Sequence, residues 1–203
     1  MSNILLTSAG LTGVHKNLFF SAIQKKADEV RVLLVPTAAI QNDSAREGIS
    51  VCMDELRKMG IKHENIVPYH LNCLLTLGYE RTYSQSVRDL PIEYRLATVD
   101  ELKQFDAVVF CGGDAGVLLQ ELNRTGFDCI VKKAVEQGLF YIGVSAGSMV
   151  AAGNFQTGLR FIENPILVHA PVGSKNGTIL DKEPLCLDNC QAVHISDGIC
   201  EIV

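Results

Sequence analysis

The residues of this chain whose types and spacing could do chemistry are Gly143-Val144-Ser145-Ala146-Gly147. A serine with a glycine two positions away on each side fits a G-x-S-x-G nucleophile elbow. In such an elbow a tight strand-to-helix turn projects the hydroxyl above the strand's carboxyl edge. The flanks supply that context, an apolar run at Leu139–Ile142 before the turn and small helix-compatible residues at Ser148–Ala152 after it. Glycine-rich turns of this kind also bind phosphate or simply turn the chain, and it is the flanking strand and helix that select the catalytic reading. Ser145 is therefore the candidate nucleophile. The next backbone N–H, that of Ala146, would sit where an oxyanion forms.

A serine nucleophile needs a base. Five histidines are available, His15, His63, His70, His169 and His194. His169 follows the apolar Pro165–Val168, downstream of the elbow, and is the first choice. His194, within a terminal strand, and His70, at a strand's end, are the alternatives. His63 lies in a polar lead-in and His15 on the first helix. Glu163 is the acidic residue between Ser145 and His169, and it is the candidate third member of a triad.

A second glycine-rich turn, Gly112-Gly113-Asp114, follows the apolar Asp106–Cys111. With no Cβ in the way, its backbone can approach a substrate closely. Gly113 N–H and Ala146 N–H are the expected oxyanion hole, with Gly112 and Asp114 as substrate-binding candidates. Cys186 and Cys190 form a C-x3-C pair, but no second pair or nearby histidine pair completes a zinc set, so no metal is expected.

The elements that must position these groups alternate strand and helix. Strands are expected at Asn3–Thr7, Val30–Pro36, Asn65–Tyr69, Asp106–Cys111 and the elbow strand. Helices are expected from Val14 to about Asp28, from residues 42–44 to Met59, over Thr98–Gln104, over Ala115–Asn123, and after Gly126. The last carries Phe127, Ile130, Val131, Ala134 and Val135 at i, i+3, i+4, i+7 and i+8, a clean amphipathic face. On the first helix Leu18, Phe19, Ala22 and Ile23 form the apolar face. This alternation implies a doubly wound, mostly parallel α/β sheet with helices on both faces. Ligands bind such a sheet beyond the carboxyl ends of its strands. Four loops would converge there, at 8–10, 37–43, 112–116 and 144–147. Residues 70–97 interrupt the rhythm as an insertion, which leaves a lid, a homodimer contact or a solvated excursion open. Pro165–Val168 reads as a further strand. Short strands at Leu185–Leu187, Ala192–Ile195 and Ile199–Val203 suggest an antiparallel finish, with Asp188-Asn189 and Asp197-Gly198 as turns. One domain, residues 1–203, accounts for the whole.

Composition narrows the function classes. The 203 residues are 47% apolar and 20% charged, as in a globular protein with a full core. A net charge of −5 with no basic stripe argues against nucleic acid. No apolar run is long enough to cross a bilayer, and the N-terminus lacks a signal peptide's basic and apolar regions. With seven cysteines, an odd number, reduced thiols and a cytoplasmic location are expected.

Two segments taken together suggest a family. Phe110–Asp114 through Leu118–Leu122, paired with Tyr141–Ser148, resembles the serine peptidase family of dipeptidase E and cyanophycinase, whose fold is like that of class I glutamine amidotransferases. Leu34–Ala39, Gly158–His169 and Asp188–Val193 are similar to other segments of that family. The resemblance implies a Ser-His-acid triad with Ser145 and His169 at the matching positions, an oxyanion hole at Gly113 and Ala146, no cofactor, and cleavage of a short peptide next to aspartate. In the family a longer stretch follows the elbow helix and carries the acid. Here only Asn154–Thr157 stand before Gly158, and Ala170-Pro171 follow the histidine in place of an aromatic residue. Serine at the elbow, where a glutaminase has cysteine, argues against glutamine hydrolysis. A serine peptidase is the expected function. The alternatives are an inactive homologue that binds a small ligand or acts as a regulatory module, and an esterase or amidase acting on non-peptides.

Overall fold

A computed structural model of the protein describes residues 3–41, 43–75, 87 and 89–203. Its frame is an eight-stranded sheet. Five strands are parallel, namely β1 (Asn3–Thr7), β2 (Val32–Val35), β3 (Ile66–Pro68), β4 (Ala107–Phe110) and β5 (Phe140–Val144). A pair of short strands, β6 (Ile166–Leu167) and β8 (Leu185–Cys186), stands apart from it. The remaining strands, β7 (Gly177–Thr178), β9 (Ala192–Ser196) and β10 (Ile199–Ile202), extend the main sheet in antiparallel fashion beyond β1. The order across the sheet is β3-β2-β4-β5-β1-β9-β10-β7. The expected α/β class, mostly parallel with antiparallel strands near the C-terminus, is what forms.

The parallel strands read as continuous apolar runs because both their faces are covered. All four residues of β2 are buried. Leu33 and Val35 point into one core, and Val32 and Leu34 into the other. On one side lie α1 (Gly13–Ile23) and α2 (Asp43–Lys58), contributing Phe19, Cys52 and Leu56. The other side is covered by α3 (Val99–Leu102), α4 (Ala115–Thr125), α5 (Phe127–Glu136) and α6 (Ala146–Ala151). The amphipathic face expected on α5 is the one buried, through Phe127, Val131, Ala134 and Val135. Thr98 caps α3 through a capping box with Glu101, and Gly126, at φ 75°, breaks α4 from α5.

Three expectations are corrected. Helix α1 stops at Ile23, where Gln24 closes it in a left-handed conformation, and only Phe19 of its expected apolar face is fully buried, with Ala22 exposed. The run at Pro165–Val168 shrinks to the two residues of β6. The run at Leu185–Leu187 does not join an antiparallel finish, because β8 pairs with β6 in parallel. Residues 76–86 and 88 of the insertion expected at 70–97 lie outside the described residues. Among the described residues no helix is long and apolar enough to cross a membrane.

Candidate active site

The elbow forms at the carboxyl edge of β5, between β4 and β1. Ser145 has φ 49° and ψ −104°, a strained conformation for a residue with a side chain and one that costs about 1–3 kcal/mol. Packing holds it there. A Cβ on Gly143 would lie 2.7 Å from the Gly147 backbone, and one on Gly147 would lie 2.5 Å from the Phe110 carbonyl oxygen, so strand and helix approach as closely as glycine allows. Hydrogen bonds complete the clamp. Ser145 N–H donates to the Thr7 carbonyl at 3.0 Å, and the buried Tyr141 hydroxyl donates to the Gly147 carbonyl at 2.8 Å. Ser148 Oγ lies 2.7 Å from the Thr7 carbonyl and 2.8 Å from that of Gly143 and shares its proton between them. Burial pushes the Tyr141 phenol well above its ordinary pKa, so it stays a donor.

His169 meets the serine. Its Nε2 lies 3.0 Å from Ser145 Oγ, and its Nδ1 lies 2.9 Å from Asn189 Oδ1. The amide oxygen accepts, so Nδ1 carries the proton and Nε2 is left to accept from the serine hydroxyl. The histidine backbone is itself strained, at φ 55°. The buried Ser8 hydroxyl accepts from His169 N–H at 2.7 Å and donates to the Leu187 carbonyl at 3.1 Å.

The β6–β8 pair explains how His169 and Asn189 come together. His169 follows β6 by two residues, and Asn189 follows β8 by three. Parallel strands end on the same side, so the two residues emerge side by side. Glu163, the expected orienting acid, is not brought to His169. It precedes β6, at the other end of that pair, and its carboxylate is bound to Arg160 at 2.6 Å on the surface. Asn189 was missed because Asp188-Asn189 has the composition of a turn. The clue in the sequence was its distance past a short apolar run, as with His169. The alternative bases are elsewhere. His194 is paired with Glu201 at 3.3 Å, His70 precedes a short 3-10 turn, and neither lines the cleft.

The glycine pair lies across from the elbow. Gly113 has φ +136°, and a Cβ there would meet the Ala38 carbonyl oxygen at 2.1 Å, so no other residue fits. The N–H groups of Gly113 and Ala146 have no protein acceptor among the described residues, which leaves both available at the mouth of the turn. Gly112 lines the cleft. Asp114, the other expected substrate-binding residue, is not among the residues lining it. Its carboxylate caps α4, accepting from Gly116 N–H at 2.8 Å and Val117 N–H at 3.0 Å, and so serves the helix.

Ser145 and His169 open into a cavity of about 260 Å³. Its far wall is α2, where Ala45, Gly48, Cys52 and Glu55 fall on one helical face. Burial pushes the Glu55 carboxyl up, opposed by the Leu11 N–H and by the charges of Lys16 and Lys58. A larger hollow, about 340 Å³, lies at the opposite edge of the sheet beside Asn3, Asp106 and Phe140, and no serine, cysteine or histidine lines it. All seven cysteines are free thiols, and the described residues hold no group of three or more His, Cys, Asp or Glu suited to a metal.

With this geometry in place, likeness to known proteins can be set beside it. Residues 80–166 match the model of peptidase family S51. The family it resembles is peptidase S51. The match takes in the glycine pair and the elbow and stops three residues before His169. An uncharacterized peptidase of Pasteurella multocida is 40% identical over 55 residues, 27% of this chain and 27% of the relative. One from Listeria monocytogenes is 39% identical over 54 residues, 27% of this chain and 26% of the relative. The chain thus matches about a quarter of the length of these curated relatives. Among solved structures, a Listeria monocytogenes protein assigned as a peptidase E aligns with a TM-score of 0.63 at 20% identity, over 100% of this chain and 97% of the other. A peptidase from an acI-B1 actinobacterium aligns at 0.60 and 16% identity, over 100% and 87%. At these identities the two structures speak for the fold, which this S51-like chain shares with them.

Proposed function

We propose that the protein is a serine peptidase acting on short peptides through Ser145, His169 and Asn189. The observation that carries this reading is the 3.0 Å contact between Ser145 Oγ and His169 Nε2 on a strained elbow. Ser145 attacks the scissile carbonyl while His169 Nε2 takes the hydroxyl proton. The oxyanion that forms is met by the N–H groups of Gly113 and Ala146. His169 then gives its proton to the departing amine, and water, deprotonated by the same nitrogen, hydrolyses the acyl-enzyme. Asn189 holds the imidazole in the tautomer this needs, as the asparagine does in Cys-His-Asn proteases. Because it is neutral, it orients the ring without offsetting the imidazolium charge.

Cleavage next to aspartate is what the family resemblance implies, and it belongs to this proposal. Among the described residues no Lys or Arg lines the cleft to meet an aspartate side chain, so that preference rests on the resemblance alone. The test is labelling with a fluorophosphonate followed by turnover of a dipeptide panel. Labelling at Ser145 with peptide hydrolysis that vanishes in Ser145→Ala is the expected result, and hydrolysis that persists in the purified variant sinks the proposal. The second reading, a non-catalytic ligand-binding homologue, is favoured by an amide, and not a carboxylate, as the partner of His169 Nδ1, and a failure to label supports it. Labelling with ester turnover but no peptide turnover points to an esterase or amidase.

A further inference from the structure

The cleft that holds Ser145 and His169 contains one carboxylate among its described lining residues, that of Glu55. Its position is built. Glu55 Oε2 accepts from Leu11 N–H at 3.3 Å, and the carboxylate packs against Gly10, where a Cβ would come within 2.6 Å of Oε1. Gly10 sits at φ +136° in the loop after β1, so the backbone leaves room for this side chain. One turn and two turns back along α2, Cys52 and Gly48 line the same cleft. Glu55 makes no salt bridge within 4.0 Å among the described residues, although Lys16 and Lys58 act on it at longer range. A half-buried carboxylate with one long hydrogen bond, facing a cavity shared with a nucleophile, has acceptor capacity to spare.

We infer that Glu55 is the specificity residue of this site and receives a cationic nitrogen, an ammonium or guanidinium, carried by the substrate. This deepens the peptidase reading and rests on it. The cation has two possible sources, the free α-amino group of a short peptide or a basic side chain. Either would form a charge-assisted hydrogen bond in a partly dry cleft, and such a bond discriminates strongly against a neutral analogue.

Binding to the full-length Ser145→Ala protein, followed by calorimetry, tests the inference without needing turnover. The ligands are alanyl and lysyl dipeptide amides, each with a free or an acetylated N-terminus, and acetyl-aspartyl dipeptide amide. The cationic ligands are expected to bind about tenfold or more tightly than acetyl-alanyl amide. Adding Glu55→Gln, whose amide oxygen still accepts from Leu11 N–H, should erase that preference, and Glu55→Ala is the second variant should the first unfold. Tight binding that needs the free N-terminus identifies the α-ammonium, and tight binding of acetyl-lysyl amide identifies a basic side chain. Equal affinity for cationic and neutral ligands, a preference that survives both Glu55 variants, or tightest binding of the acetyl-aspartyl ligand overturns the inference. Loss of peptide hydrolysis in the wild type alongside an intact Glu55-dependent preference overturns the peptidase reading and leaves the cation site standing.

Discussion

The elbow and the β6–β8 pair deliver the two halves of one catalytic contact by different means. The elbow is held by steric fit. Gly143 and Gly147 let β5 and α6 come together, and the surroundings of Ser145 are largely buried. His169 and Asn189 are exposed at the ends of two-residue strands, and hydrogen bonds to distant residues hold them, above all Ser8 to His169. A nucleophile held by packing tolerates little change in its neighbours' volume. A base held by a few hydrogen bonds tolerates changes of volume but depends on each donor and acceptor.

The largest break in this comparison is chemical. Ser145→Ala should lower peptide or ester hydrolysis by about a thousandfold or more, measured as kcat, with an unchanged melting temperature. Next is the steric half. Gly147→Ala puts a Cβ 2.5 Å from the Phe110 carbonyl and should cost about 1–3 kcal/mol in chemical denaturation while displacing Ser145, so that labelling and stability fall together. The hydrogen-bonded half should separate activity from stability. Asn189→Ala should reduce kcat by about ten- to a hundredfold with little change in denaturation midpoint, because the residue is exposed, and Asn189→Asp should retain activity. Equal stability losses in Asn189→Ala and Gly147→Ala would refute the distinction drawn between the two regions. Ser8→Ala bridges them. It strands the His169 N–H and removes one of the two donors to the buried Leu187 carbonyl, which keeps Ala170 N–H at 3.0 Å, and about 1–2 kcal/mol of stability should be lost with a fall in kcat.

The smallest effect lies away from the site and serves as a control. Arg95 beside Glu101, joined by a bidentate pair at 2.9 and 2.6 Å, holds that carboxyl at about 2 against an ordinary 4.5. The folded value is depressed, so the stabilisation is fully present above about pH 4.5 and is lost as pH falls through about 2. Glu101→Gln should cost about 1 kcal/mol near neutral pH, and the gap from wild type should close on acidification, with turnover at neutral pH untouched.

Much of the fold was legible because it depends on local rules. The 3.6-residue spacing on α5, the capping box at Thr98, the glycine break at Gly126 and the apolar runs of β2, β4 and β5 each lie within a dozen residues. The elbow was legible for the same reason, since its backbone conformation demands small residues at fixed offsets. Asp114 shows the limit of such reading. An aspartate after two glycines at a strand's end fits a binding residue and a helix cap equally well, and only the direction of α4 makes it a cap.

The sequence by itself determined the alternating α/β frame, the place of Ser145 at a carboxyl edge, and the glycines at 113, 143 and 147, because steric and periodic constraints act between neighbours along the chain. Tertiary structure alone decided that Asn189 and not Glu163 faces His169, that Ser8 holds the histidine backbone from 161 residues away, and that Glu55 enters the cleft. Those pairings depend on strand order and on the parallel sense of β6 and β8. Two-residue strands carry too little periodicity to reveal that sense, and a hydrogen bond between side chains on separate loops forms only once the sheet has brought the loops together.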